Sequence, residues 1–314
     1  MFIVKVPQVN SKDEKGCERS GEQIIKELRK IAANESGNEI DVDSLELEEI
    51  HLDNSDLKSS HDLIYQNSLE IFELKPKTVF LGGDHSITYS LGKAFLEHCK
   101  NSETEPCLIV FDSHPDCDST DSIQSLQLTT SFAKNSKNLF PPARSPTPSA
   151  SAKSYLEAAL NTKTPMEKNK KFPTNTEWLR KLIEEGFPSE NILIVGMRNS
   201  TRNENVFLKE NKIKIMKMNA ITEDLHEACD TIMEFSRGKE LYVSIDVSVL
   251  DPSFAPASHY SEPGGLCSRE FLYMIQRINK IKNLRAIDVV EINEKKDRDK
   301  MTTKLGAKIV SEIL

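Results

Sequence analysis

Asp112, His114 and Asp116 stand two residues apart at the end of an apolar run, Leu108 to Phe111, inside the stretch Cys107 to Asp118. While the backbone stays extended, steps of two keep side chains on one face, so two carboxylates and an imidazole converge on one spot. That donor set suits a borderline divalent ion such as manganese or zinc, whereas a closed structural zinc site calls for thiolates. Cys117 breaks the alternation and is not read as a ligand. The plainer reading is a strand end whose acids and histidine face water.

Three other apolar runs end in the same kind of residue. Thr78 to Leu81 runs into Gly82-Gly83-Asp84-His85-Ser86, where paired glycines permit a tight turn and close backbone approach and aim His85 at the edge that holds Asp112. The competing account has Asp84 or Ser86 capping the helix Ile87 to His98 while His85 simply packs. Leu241 to Ile245 leads into Asp246, with Ser248 and Asp251 close behind, and Arg285 to Val290 ends at Glu291-Ile292-Asn293.

The elements that must position these residues alternate. Strands are expected at Phe2 to Val6, Leu45 to Leu52, Ile192 to Val195 and Ile213 to Met216. Helices are expected at Ile24 to Ile31, His61 to Phe72, Leu225 to Phe235, Phe271 to Ile278 and from about Thr302. Thr174 and Glu177 read as a capping box for a helix carrying Trp178, Leu179, Leu182 and Ile183. Strand alternating with helix implies an α/β fold with a mainly parallel, doubly wound sheet covered on both faces. Ligands of such sheets bind outside the carboxyl ends of the strands, where His85, the Asp112 triplet, Asp246 and Glu291 all fall. His51 and His61 read as surface or structural, His226 as a helix-surface residue and His259 as exposed in a Pro/Ser/Gly-rich loop, Pro252 to Gly265.

The chain has 314 residues, enough for one large α/β domain. The reading is a single domain over 1–314 with a low-complexity insertion at about 119–173, where Pro141, Pro142, Pro146 and Pro148 lie among polar residues and only Tyr155 to Leu160 looks helical. With 41 Lys+Arg against 49 Asp+Glu and no basic stripe, nucleic acid is not expected as a partner. No apolar stretch approaches a membrane span, the start reads as a strand rather than a signal peptide, and six Cys without a C-x-x-C pair suit reduced thiols, so the chain is expected in the cytoplasm.

Taken in order, these segments resemble the ureohydrolases, the arginase and agmatinase family. Gly82-Gly83-Asp84-His85-Ser86 is similar to its first metal motif, and Asp112-Ser113-His114-Pro115-Asp116 to its D-A-H-x-D motif. Ser244-Ile245-Asp246 through Asp251-Pro252-Ser253-Phe254-Ala255-Pro256 resembles its S-x-D-x-D-x-x-D-P segment. Pro263-Gly264-Gly265-Leu266 with Arg269-Glu270, and Val290-Glu291-Ile292-Asn293, match as well.

The resemblance implies a three-layer α/β/α domain, assembly into trimers or hexamers, and a binuclear manganese centre held by His85, Asp112, His114, Asp116 and Asp246. Asp112 and Asp246 would bridge the ions, His85 and Asp116 would complete the first site and His114 would serve the second. Glu291 matches the carboxylate that holds the substrate guanidinium, and it and Asp116 are the expected catalytic residues. The implied chemistry is attack of a metal-activated hydroxide on the guanidinium carbon.

Three departures stand out. Where the family has a further Asp that clasps the second ion, this chain has Ser248, so one well-held ion is expected and Asp251 is assigned to supporting its loop. The His that follows D-A-H-x-D in the family is missing, with Asn175 in its place. The segment after the G-x-R strand reads Arg198-Asn199-Ser200-Thr201, without arginase's substrate-facing acids. The leading expectation is a hydrolase of a guanidino or amidine C–N bond. The alternatives are an impaired binding or assembly protein and a single-metal amide hydrolase, which lacks support because the tandem His pair of the metal-dependent deacetylases is absent.

Overall fold

The computed structural model describes residues 1–10, 15–119 and 172–314. The expected insertion, with its helix at Tyr155 to Leu160, lies essentially outside them. Eight strands form one sheet: β1 (Phe2–Val6), β2 (Glu46–Glu49), β3 (Thr78–Gly82), β4 (Pro106–Phe111), β5 (Ile192–Val195), β6 (Lys214–Met216), β7 (Glu240–Asp246) and β8 (Leu284–Val290). Every pairing is parallel, in the order β2-β1-β3-β8-β7-β4-β5-β6. A parallel sheet is covered on both faces, and its central strands are almost wholly buried, in keeping with their mainly apolar sequences.

One helical layer contains Ser20–Leu28, Met301–Ile313, Ser268–Ile278 and Leu225–Phe235. The other contains Leu57–Leu74, Ile87–Asn101 and Trp178–Glu184. This is the three-layer α/β/α arrangement, and residues 1–118 with 173–314 make one compact unit. Among the described residues no helix is long and apolar enough to cross a membrane.

The chain lays β3 and β4 on either side of a gap that β7 and β8 later fill. The four strands that end in His85, Glu291, Asp246 and Asp112 are therefore the four adjacent central ones, β3-β8-β7-β4, at the place where the winding reverses.

Local details differ from the sequence expectations in informative ways. The helix beginning near Trp178 starts at that residue, with Glu177 Oε2 reaching back to Thr174 N (3.1 Å), and no side chain caps its first turn. A helix at Arg202–Glu210 was not anticipated. It has a full capping box between Thr201 and Glu204, and a T-x-x-E signal is present in the sequence. His61 is buried, 2% exposed, between Gln8 Nε2 (3.2 Å) and Ser90 Oγ (2.7 Å). His226 lies at the surface against Tyr273 OH.

Candidate metal centre

β4 stops at Phe111, one residue before Asp112, so the triplet is not presented by an extended strand. Asp112 Oδ1 accepts His114 N (2.8 Å), a side-chain-to-backbone turn that bends the chain. Asp116 then adopts a left-handed backbone, φ 46°. The result separates the three: Asp112 and Asp116 turn inward and are buried, while the His114 side chain stays 20% exposed. The expectation that all three share one face through alternation is corrected by that turn.

His85 comes from the β3 end. Gly83 lies so close to the neighbouring chain that a Cβ there would stand 1.8 Å from the Gln8 carbonyl oxygen. Only glycine lets Gly83 N bond Val6 O and Asp84 N bond Gln8 O, both at 3.0 Å. Asp84 is spent on Asn10 N, Ser86 N and Ser86 Oγ, which leaves the histidine to face inward.

There His85 Nδ1 stands 2.8 Å from Asp116 Oδ2, 3.2 Å from Asp112 Oδ2 and 3.7 Å from Asp246 Oδ2. One ligand atom from each of His85, Asp112, Asp116 and Asp246 lies within 4.8 Å of the other three, and all four residues are buried. His114 is outside this group, and its Nδ1 bonds Ser113 Oγ at 2.9 Å. Cys117, buried, turns its thiol toward the Glu204 carbonyl. Asp251 accepts Ser253 N and Gly264 N, so it holds its loop.

A chain of hydrogen bonds sets the His85 tautomer. Asp288, fully buried, accepts from Ser244 Oγ (2.8 Å), Tyr242 OH (2.5 Å) and Thr88 Oγ1 (2.9 Å). Since the Ser244 proton goes to Asp288, Ser244 Oγ accepts from His85 Nε2–H at 2.9 Å. The Nδ1 lone pair is thereby aimed into three carboxylates, and His85 Nδ1 and Asp112 Oδ2 are buried without a hydrogen-bond partner among the described residues.

Such a constellation needs a cation or a proton. With neither in place burial would lower the His85 pKa, but Asp112 and Asp116 drive it well above the usual range. Burial and Asp112 push Asp116 up to about 6 and raise Asp246 well above ordinary carboxylates. Burial would also raise Asp112, yet His114 and His85 hold it low. Three buried carboxylates and one imidazole with a directed lone pair match the donor set of a borderline divalent ion.

Three residues contribute that the sequence did not single out for this role. Trp178 Nε1–H donates to Asp116 Oδ2 at 2.9 Å, and its ring lies against His85, centroids 4.7 Å apart. Ser244 and Asp288 fix the imidazole, as the outer partners of metal-bound histidines do. The signals available were a lone Trp at a helix start and a buried Asp inside a strand.

Glu291, next to the cluster, is 2% exposed with φ 67°. Its Oε1 accepts His85 N (2.8 Å) and Asn175 Nδ2 (3.3 Å). Left-handed backbone at two non-glycine residues, Asp116 and Glu291, is strain of the kind that collects at functional sites. Ser248 lies among Asp112 and Ser113: its hydroxyl donates to Asp112 Oδ1 at 3.1 Å and accepts from Ser113 Oγ at 2.9 Å.

The arginase family model matches residues 1–314. The chain is 26% identical over 243 residues to an arginase of Schizosaccharomyces pombe, a match covering 75% of this chain and 64% of that protein, just under two thirds of its length. It is 31% identical over 125 residues to the agmatinase of Bacillus subtilis, covering 40% of this chain and 41% of that one. Its fold superposes on the formimidoylglutamase of Bacillus subtilis with TM-score 0.76 at 22% identity, over 99% of this chain and 85% of the other. A metal-type cluster at the switch point of a parallel sheet thus sits in a chain matched from end to end, and this protein belongs to the arginase family, a family of metal-dependent hydrolases.

Proposed function

We propose that the chain is a metal-dependent hydrolase of a guanidino or related amidine C–N bond, working with one manganese ion held by His85, Asp112, Asp116 and Asp246. The observation that carries this reading is the meeting of those four buried side chains beside Glu291. When bound, the ion supplies Lewis-acid chemistry and lowers the pKa of water into the range where a nucleophile forms near neutral pH.

The remaining work falls to the protein. Glu291, oriented by His85 N–H and the Asn175 amide, binds the planar guanidinium. Asp116, the second catalytic carboxylate, is held in place by Trp178. His114, at the exposed side, is the remaining ligand expected from the family pattern and belongs to a second position in which Ser248 replaces a carboxylate. A cytoplasmic location, which rests on the scattered, unpaired cysteines of the sequence, and assembly into trimers or hexamers, which rests on the resemblance to the arginase family, are part of the same proposal.

The test is direct. Purified protein loaded with manganese is offered a panel of guanidino and formimino compounds while urea, formamide and ammonia are measured. Turnover that vanishes on chelation and in Asp246→Asn is expected. A loaded protein that converts no member of the panel sinks the reading.

A further inference from the structure

The geometry points to Arg180 as a positioning residue of the cluster: it grips the main chain just after Asp116 and so keeps that carboxylate turned toward His85. This rests on the proposed metal site and adds what holds its left-handed ligand in place.

Asp116 has φ 46°, a backbone that a non-glycine residue keeps only where its surroundings hold it. Here every main-chain polar group from Asp116 O to Asp118 O has a partner. Asp116 O accepts Leu179 N at 3.1 Å, and Asp118 N donates to Thr176 O at 3.0 Å. Cys117 N donates to Glu204 Oε1 at 3.4 Å. The two remaining carbonyls, of Cys117 (2.8 Å) and Asp118 (3.0 Å), both accept the one Nε–H of Arg180.

The guanidinium is aimed by what it lies on. Its central carbon is 3.9 Å from the centroid of the Phe207 ring, on the helix Arg202–Glu210, and stacking on that ring fixes the plane that turns Nε–H toward the two carbonyls. Glu204, buried on the same helix, takes the Cys117 amide. Cys117 is thus clamped from its carbonyl side by Arg180 and from its amide side by Glu204.

Trp178, one residue pair before Arg180 on the helix Trp178–Glu184, bonds Asp116 Oδ2. One helix therefore holds Asp116 at both ends, the carboxylate through the indole and the main chain through the guanidinium. With Arg180 gone, two carbonyls lose their donor, the turn relaxes out of the left-handed region, and Oδ2 withdraws from His85 Nδ1, now 2.8 Å away.

Arg180→Met keeps an unbranched chain against Phe207 and deletes the donor. Removing a positive charge near three carboxylates would by itself tighten the binding of a dication, so a loss of affinity has the sign of lost positioning rather than of lost charge. Manganese titration is expected to show about tenfold weaker binding in Arg180→Met, and Arg180→Lys, which can still donate to a carbonyl, should recover most of it. Lys181→Met, on the same helix but paired with Glu184 and Glu185, should bind the ion at least as well as the parent. Thermal unfolding shows that each variant is folded. Trp178 is the chain's one tryptophan, so its emission reports the turn without any metal. In metal-free Arg180→Met it should shift to longer wavelength and be quenched more readily by acrylamide, while in Lys181→Met it should not. Undiminished manganese affinity in Arg180→Met, an equal loss in Lys181→Met, or no rescue by lysine overturns the assignment. If the parent binds no manganese, the proposed metal site falls, and an unchanged Trp178 emission in Arg180→Met would then overturn the clamp as well.

Discussion

The hydroxyl of Ser248 stands 3.1 Å from Asp112 Oδ1, the carboxylate oxygen that points away from His85. The same oxygen accepts His114 N, and Asp246 Oδ1 accepts Ser248 N at 2.6 Å. Each would-be bridging carboxylate thus turns one oxygen toward His85 and gives the other to O–H and N–H donors of the protein. A second cation would have to displace those donors and would find a hydroxyl where a charged ligand is needed. One manganese per chain is the expected count by metal analysis after equilibrium dialysis, rising to two in Ser248→Asp. Two ions in the unaltered protein, or one in the variant, would contradict this account.

Trp178→Phe keeps an aromatic ring, though a smaller one, on the His85 side and deletes the donor to Asp116 Oδ2. Losing such an outer partner typically weakens metal binding by about 10–100-fold. Titration with manganese should show that loss while the folded circular dichroism spectrum persists. An unchanged affinity would mean that Asp116 needs no brace.

Much of this site was legible because strand ends are marked by simple patterns. Apolar runs stop, and acids or a histidine follow, at β3, β4, β7 and β8. What the pattern could not show was the order of those strands, which is fixed by pairings between distant segments such as β3 with β8. Alternation also misplaced His114, since the turn made by Asp112 Oδ1 is a local hydrogen bond that periodicity does not register. Trp178 reaches Asp116 across 62 residues of sequence, beyond any spacing rule. The helix Arg202–Glu210 escaped because its few apolar residues, Val206, Phe207 and Leu208, form a run rather than a stripe, although Thr201 and Glu204 announced its start.

His61 gives the fold an acid limit. Burial, with a smaller contribution from Lys93, lowers its pKa from 6.5 to about 4. The unfolded chain therefore binds this proton more readily than the folded one, and stability rises with pH between those values. The contribution is intact above pH 6.5 and drains away as the pH falls toward 4, amounting to roughly 2 kcal/mol by pH 5. Urea unfolding of the parent at pH 7 and pH 5 should show that fall, and His61→Gln should show less of it. Parallel losses in both proteins would assign the acid sensitivity elsewhere.

Gly83 and Gly186 separate two reasons for a glycine, and a pair of alanine variants tells them apart. At Gly186 the backbone is left-handed, φ 104°, with nothing within 4 Å of an added Cβ, so Gly186→Ala incurs conformational strain alone, about 1–2 kcal/mol. At Gly83 the added carbon meets the Gln8 carbonyl oxygen at 1.8 Å, and main chain cannot swing aside as a flexible side chain would. Relief requires parting the strand ends, which strains the bonds from Gly83 N to Val6 O and from Asp84 N to Gln8 O. A loss of about 3 kcal/mol or more is expected in Gly83→Ala by denaturant unfolding. Because His85 is two residues on, manganese affinity should fall with it, whereas Gly186→Ala should bind the ion as the parent does. Equal stability losses, or full manganese affinity in Gly83→Ala, would show that this turn does not set the position of the imidazole.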